Sequence, residues 1–599
     1  MRRITDEIEL NNNLLNICNQ IVEACRVPVN KQKFKIWSPE IAGYYIVLKA
    51  LRRSLGKPSL LDKYAKTANK DMLKIGKDGE TIWNNMKLLL ELQTPRRNSI
   101  EGRIKEVKKH LTYKELKKKR EIFVECLIRR NNPKFLFKEL KPKTYSIDLT
   151  FLSHSGIRYT DPKEIHEIIV NAQKEIFGKH IHDGKEFNWT NDDFDFEGNL
   201  FNPIIPREML KKLETAFYST QEKRKLVELS LEDIKHGPTF LDFYKEIMRS
   251  NKKSAGGPSG LTYHMLQNQS IKILEHIFIL LQLNWQSNSS PEWLQRKLLS
   301  LVPKKSNESS LSNIRPIVLV EVLRKIWAGA IIKAIRNAWE KFEILQPTQY
   351  GFRQSRSCAS CLIQFINLSE SARELNQEMY FSSWDFKDAF PSIPRYIIYI
   401  SLRRLGVPHQ LATYFGELDL GESILPCTPY ALLEDSDPST FCTYRGLPQG
   451  DRASPSIWDG VMDFPLTLSA NIASNLPFLG SPGKIHFAHD TSFADDMLSY
   501  ANTPTILQEK ATVTSAATII LGLKFALPKL RTGIANARKS TNKGIYVYDN
   551  QWNPILIPFN TKGFIKYLGS KQGLNGISCN EIHSLEKNYL LKSPSSWQN

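Results

Sequence analysis

Apolar and polar positions follow helical spacing in the first third of the chain, and a mixture of helical and alternating spacing after it. Residues 1 to about 215 read as helical, polar and basic. Trp37-Ser-Pro-Glu40 opens a helix: Ser38 can cap it, Pro39 suits the first helical position, and Glu40 favours the positive end of the dipole. Tyr44, Leu48, Leu51, Arg52 and Arg53 then lie along that helix. Between Phe177 and Pro206 the chain turns acidic, aromatic and rich in Asn and Gly, which predicts a loop or linker and a boundary near residue 215.

Strand patterns enter beyond residue 220. A Gly/Pro-rich loop, Ser254–Tyr263, feeds a helix. Leu301–Lys305 and Asn313–Leu319 predict two short strands joined by a polar loop. In the long helix that follows, Leu323, Ile326, Trp327, Ala330 and Ala334 share a core face. An apolar strand ends at Asp385, residues 396–445 read as mixed helix and loop, and a helix spans Ser456–Leu468. Thr491–Tyr500 predicts a β-hairpin with Asp495 and Asp496 at its tip. A helical run begins near residue 505, and Phe564–Gly569 predicts a short strand ending in glycine.

Composition changes the picture in one direction. The chain has 599 residues, 41% of them hydrophobic, enough for three or four globular domains. A net charge of +20 and a pI of about 9.3 call for an acidic partner. Nucleic acid leads over an anionic membrane, because no polybasic amphipathic helix with a lipid-facing side stands out. The N-terminus lacks the apolar core of a signal peptide, and the longest apolar run, Ile277–Leu283, is too short to span a bilayer. The eight cysteines are scattered, as in a reducing compartment. Cys358-Ala-Ser-Cys361 has metal-ligand spacing without a second pair and reads as structural; His180-Ile-His182-Asp183 reads as a polar loop. The basic run Arg103–Arg120 is either a solvated helix face or a phosphate-contacting patch.

Several residues carry candidate chemistry. Two carboxylates as close as Asp495 and Asp496 repel unless a cation or other partner offsets them. A divalent metal is one reading and a solvated Asp-Asp turn the other. Asp385, at a strand end, is either a helix cap or a third carboxylate for the same metals, with Phe390 as a wall under a sugar. If the strands around residues 303 and 315 pair, Lys304 (or Lys305) and Arg315 reach one site and suit a triphosphate; otherwise they are surface charges. In Arg445–Pro455 the glycines, Gly450 among them, and Gln449 suit close approach to a base pair. The loop at 254–262 can bring backbone N–H groups to a phosphate backbone, or be only a turn.

Taken in order, these pieces resemble the reverse transcriptase domain of LINE-type non-LTR retrotransposons. The matching segments are Gly-Pro-x-Gly-Leu-Thr (257–262), Pro-Lys…Arg-Pro-Ile (303–317) and Gln-x-Gly-Phe-Arg (349–353). Then come Asp-x-x-x-Ala-Phe (385–390), Gly-x-x-Gln-Gly-x-x-x-Ser-Pro (446–455) and Phe-Ala-Asp-Asp (493–496). Gly-Leu-Lys-Phe (522–525) with Lys529, and Lys-Tyr-Leu-Gly (566–569), complete the series across roughly residues 220–570. The Trp-Ser-Pro-Glu helix also looks like the linker that precedes the polymerase in these elements.

The resemblance implies an α+β right-hand polymerase with an antiparallel palm sheet backed by helices. Residues 1–215 would be a mainly helical, basic N-terminal extension, 216–380 fingers, 381–570 palm and 571–599 the truncated start of a thumb. It implies that Asp385, Asp495 and Asp496 hold two Mg²⁺ ions, with Mn²⁺ as a substitute, and that Lys529 protonates the leaving group. Lys304 and Arg315 would contact the triphosphate, Phe390 would exclude a 2′-hydroxyl, and Gln449 with Gly450 would meet the nascent base pair. Lys566, Tyr567, Leu568 and Gly569 would grip the primer. The implied partners are an RNA template, a DNA primer and dNTPs, in the nucleus or cytoplasm, with no membrane. No endonuclease segment precedes the match, as it would in a complete element. Phe493 stands where the family often has Tyr, and a stretch rich in Pro and acid, Gly421–Ser439, sits between two motifs. The intact acids favour a working polymerase; the short C-terminal segment favours a nucleic-acid-binding remnant of a decayed element. A bulky Phe390 argues against an RNA-templated RNA polymerase.

Overall fold

The computed structural model describes residues 2–25, 39–55, 57–73, 79–87, 90, 97–125, 152–154, 157–177, 196–287, 290–303, 314–427, 441–479, 485–538, 543–561, 564–568 and 570–573. Two compact units emerge: Val27–Tyr145, and Met1–Arg26 together with Ser146–Asn599. The division falls on either side of residues 27–145.

The smaller unit is helical, with helices Pro39–Ser54, Leu61–Leu73, Gly79–Met86 and Arg97–Glu125. Its core follows from spacing: Ile100, Ile104, Val107 and Leu111 recur every three to four residues and meet Val47 and Leu51. Lys105, Lys108 and Lys109 are exposed on the same helix, while Lys117–Arg120 lie outside the described side chains.

In the larger unit, helix α1 (Ile271–Gln286) precedes strands β1 (Lys297–Pro303) and β2 (Ile314–Val320) and helix α2 (Val322–Lys341). Helix α3 (Cys358–Glu374), strand β3 (Met379–Trp384) and helix α4 (His409–Glu417) follow, then β4 (Glu422–Cys427), β5 (Phe441–Thr443) and helix α5 (Ser454–Ala470). Next come the hairpin strands β6 (Thr491–Phe493) and β7 (Asp496–Ala501), helix α6 (Pro504–Ile520), and strands β8 (Arg531–Ala535), β9 (Gly544–Tyr548), β10 (Pro554–Asn560), β11 (Phe564–Tyr567) and β12 (Ser570–Gly573).

One sheet has the order β2-β1-β4-β5. The predicted strand pair is one of its two antiparallel pairs, with Val302 opposite Arg315. Strands β4 and β5 correct the reading of 396–445 as helix and loop alone: β4 lies parallel to β1, with Lys297 opposite Ile424. A strand supplied by a distant segment leaves little local signature, because its partner decides its register.

The largest sheet among the described residues, β6-β7-β3-β8-β10-β9, is antiparallel except for the parallel β8/β10 pair. Alternating side chains load both its faces, as the pleat requires. Phe381, Leu498 and Tyr500 pack with Phe365 of α3, whereas Tyr380, Trp384 and Met497 pack with Leu507 and Ala511 of α6. Thr503 caps α6, its hydroxyl accepting from the Ile506 N–H at 3.3 Å, and Pro504 occupies the first turn. Among the described residues no helix is long and apolar enough to cross a membrane.

Candidate active site

Strands β6 and β7 form a hairpin closed by Ala494 and Asp495, with Phe493 opposite Asp496. Ala494 takes a left-handed backbone, φ 59°, and supplies the tight reversal that the paired acids need. On its other edge β7 pairs with β3, Met497 opposite Trp384. One step further along that register, Asp496 stands opposite Asp385. Three carboxylates therefore gather at the ends of adjacent strands.

Their electrostatics record the crowding. Burial pushes the Asp496 carboxyl up to about 6, reinforced by the charges of Asp495 and Asp385. Burial also raises Asp495; its own backbone N–H works against the rise, Asp385 adds to it, and Lys529 and Arg315 oppose it. Lys529 is the local counter-ion, its Nζ lying 3.0 and 3.2 Å from the two Asp385 oxygens. The Gly-Leu-Lys-Phe segment brings it there: Ala526 N–H donates to the Asp385 carbonyl and Lys387 N–H to that of Lys524, both at 2.8 Å.

Among the described residues no group of three His, Cys, Asp or Glu is arranged to hold a metal ion, and Lys529 spans both oxygens of Asp385. The donor chemistry nevertheless fits a hard divalent cation: the three groups are carboxylates, and Asp495 and Asp496 are raised first by burial and then by neighbouring acids. Neither CxxC cysteine belongs to such a group; Cys361 is buried and Cys358 exposed. The His180–Asp183 segment lies outside the described residues.

Sequence reasoning missed what holds the hairpin. The Gln-x-Gly-Phe-Arg segment runs along the free edge of β6, with Arg353 at its end and Arg356 just beyond. Tyr350 N–H donates to the Ser492 carbonyl at 2.7 Å, and Ser492 N–H to that of Thr348 at 2.9 Å. A Cβ on Gly351 would stand 2.2 Å from the Ala494 nitrogen, so glycine is what permits this contact. Both arginines are committed internally, Arg353 in a fork to Glu340 at 2.8 and 2.7 Å and Arg356 to the Gln349 carbonyl at 3.3 Å.

At the other end of the hairpin, Asp490 accepts from Tyr500 N–H at 3.1 Å and pairs with Lys510 at 2.6 Å, both side chains 2% exposed. Tyr567, expected at a primer surface, is 2% exposed instead, its hydroxyl 3.3 Å from that of Thr491. It packs beneath β6 because its ring fills the core around Phe365 and Tyr500. Leu568 is partly buried against that core; the Lys566 side chain and Gly569 lie outside the described set.

Phe390 is half-buried in an aromatic wall, stacked on Trp458 of α5 at 4.8 Å and edge-on to Phe352 at 6.1 Å. Its carbonyl accepts from Leu447 N–H at 2.7 Å, tying it to the Gln-Gly loop. In that loop the Gln449 carbonyl accepts from Val318 N–H at 2.8 Å, and a Cβ on Gly450 would meet the Val318 carbonyl at 2.5 Å. The loop thus docks on β2, the strand that carries the exposed Arg315. Lys304 lies outside the described residues. The loop at 254–262 is not open to a phosphate at Ser259, whose N–H and hydroxyl are taken by the Glu321 carboxylate at 2.7 and 2.6 Å.

A sequence model of the family described as reverse transcriptase (RNA-dependent DNA polymerase) matches residues 302–571. Residues 302–571 are therefore a match to a reverse transcriptase domain. That domain is similar to the retrovirus-related Pol polyprotein from the type-1 retrotransposable element R2 of Popillia japonica, 24% identical over 348 residues, which are 56% of this chain and 45% of that protein. It is also similar to the Pol polyprotein from the type-2 element R2DM of Drosophila melanogaster, 28% identical over 291 residues, which are 47% of this chain and 25% of that protein. The chain thus matches less than half the length of either relative. Within the reverse transcriptase domain lie the three carboxylates, Lys529, the aromatic wall and the Gln-Gly loop.

Proposed function

We propose that this chain is an RNA-directed DNA polymerase that extends a DNA primer on an RNA template, consuming dNTPs. The observation that carries the reading is the gathering of Asp385, Asp495 and Asp496 at neighbouring strand ends, inside the matched reverse transcriptase segment. The four-stranded sheet with its helices would serve as fingers and the six-stranded sheet as palm.

Asp385, Asp495 and Asp496 are the residues that would hold two Mg²⁺ ions, or Mn²⁺ in their place, and these supply charge neutralisation at the reacting hydroxyl and phosphates. The rest falls to the chain itself, chiefly positioning. Arg315 offers a planar fork to the triphosphate, with Lys304 beside it. Phe390, braced by Trp458 and Phe352, presents a fixed wall where a 2′-hydroxyl would project. Gln449 and Gly450, tied to β2, form the floor for the new base pair. Lys529, its Nζ 3.0 Å from Asp385, would donate a proton to the departing pyrophosphate. Lys566 and Leu568 to Gly569 would lie along the primer, with Tyr567 beneath as support. Template RNA and target DNA place the work inside the cell, in nucleus or cytoplasm.

Primer extension tests this. Wild-type protein with an RNA template, an annealed DNA primer, dNTPs and Mg²⁺ is expected to extend the primer, and Asp495→Asn to give no product. Absence of extension by wild type, with salt-sensitive primer–template binding intact, would support a binding remnant instead.

A further inference from the structure

Asp419 lies between α4 and β4, in a stretch that carries none of the motif segments. It is the centre of a buried ion cluster. Its Oδ1 is 2.7 Å from Lys297 Nζ and 2.7 Å from Arg324 Nη2, and its Oδ2 is 3.1 Å from Arg395 Nη2. The same Arg324 Nη2 lies 3.1 Å from Asp451 Oδ2. All five residues are 5% exposed or less. Burial disfavours a charge on Asp419, yet Arg324, Lys297 and Arg395 hold its carboxyl far below the usual carboxylate range. Apolar side chains would fill the same space without the cost of desolvating charge. What the cluster supplies is a fixed geometry between segments far apart in the chain.

Its partners lead to different parts of the nucleotide pocket. Arg395 opens the helix Arg395–Arg404, five residues beyond Phe390. Arg324 stands in the first turn of α2 and reaches Asp451, two residues beyond Gln449 in the Gln-Gly loop. The other Asp451 oxygen accepts from Ala453 N–H at 3.4 Å, just before α5. Lys297 begins β1 and also donates to the Thr443 hydroxyl of β5 at 3.2 Å, so it ties the cluster to the sheet frame.

We propose that Asp419 is a positioning residue for nucleotide selection, setting the Phe390 wall through Arg395 and the Gln449–Gly450 floor through Arg324 and Asp451. This role rests on the polymerase reading above. A wall out of place admits a 2′-hydroxyl, and a floor out of place admits a mismatched pair. The two selectivities therefore separate according to which arginine is lost.

The test removes one cation at a time. Three cations face two acids in the cluster, so each removal leaves two against two, whereas Asp419→Asn would leave three cations against one acid and is expected to unfold the chain. Lys297→Met, Arg324→Met and Arg395→Met are compared with wild type in single-nucleotide primer extension. Each receives the correct dNTP, a mismatched dNTP and the matching ribonucleotide, and ratios of kcat/KM are read. Arg395→Met should raise ribonucleotide use about tenfold with the mismatch ratio near wild type, and Arg324→Met should raise mismatch use about tenfold with the sugar ratio near wild type, the scale set by one altered pocket contact. Lys297→Met should lower the melting midpoint but leave both ratios near wild type, because the two arginines still hold Asp419. If an arginine variant loses its cooperative melt, its lysine counterpart, which keeps the charge without the planar fork, takes its place. Both ratios moving together, ratios moving as far in Lys297→Met, or ratios unchanged in the folded arginine variants would reduce the cluster to general support and overturn the proposal. So would unfolding of every arginine variant. Absence of extension by wild type would overturn the polymerase reading itself, and this role with it.

Discussion

At the scale of single residues, the site is defined by charge held where charge is disfavoured. Asp496 is the clearest case, its carboxyl raised from 3.8 to about 6 by burial and two neighbouring acids. A raised carboxyl favours folding fully below the unfolded value of 3.8, and that contribution is lost as pH rises through about 6. In chelator at pH 7.5, Asp496→Asn should therefore raise the melting midpoint by roughly 1–3 °C, and near pH 4 by nothing. Calorimetry at the two pH values checks this; an equal rise at both would assign the effect to packing. The three carboxylates Asp385, Asp495 and Asp496 were legible in the sequence because residue type carries them. The inward turn of Tyr567 was not, since Lys566-Tyr-Leu-Gly569 reads the same whether the ring faces a primer or fills a core. Phe390 was legible as an aromatic; its braces, Phe352 and Trp458, come from segments 38 and 68 residues away in the chain and carry no local signal.

At the scale of elements, the Asp495–Asp496 hairpin is stapled from outside. Its free edge is covered by 348–351, and its base is locked by the buried Asp490–Lys510 pair. Gly351 is the narrowest point, with the Ala494 nitrogen 2.2 Å from where a Cβ would stand. Gly351→Ala should push the hairpin away from β3, and a misplacement on the order of 1 Å costs about a hundredfold in rate. Single-nucleotide incorporation should fall by that factor while primer–template affinity, read by fluorescence anisotropy, stays near wild type. A parallel loss of both would indicate general unfolding. The motif itself was legible as Gln-x-Gly-Phe-Arg, but not its task, because the close approach is made between segments more than 140 residues apart.

At the scale of the whole molecule, a net charge of +20 suits the polyanionic partners of the proposed function. Affinity for a primer–template duplex should fall about a thousandfold between 50 and 200 mM salt, as counterion release at several phosphates dictates. Binding titrations across salt concentrations measure this, and a flat response would remove nucleic acid as the partner of that charge. By itself the sequence determined the charge, the order of the motifs, the strand pairs joined by short turns and the residue types that can do two-metal chemistry. All of these are local properties, written in neighbouring positions. Tertiary structure alone decided that β4 and β5 complete a sheet begun more than a hundred residues earlier, and that Glu321 closes over the loop at Ser259. It also decided that Lys529 reaches Asp385. Those outcomes depend on which distant surfaces pack together, and packing is settled by shape and burial summed over the whole fold, which no short stretch of sequence contains.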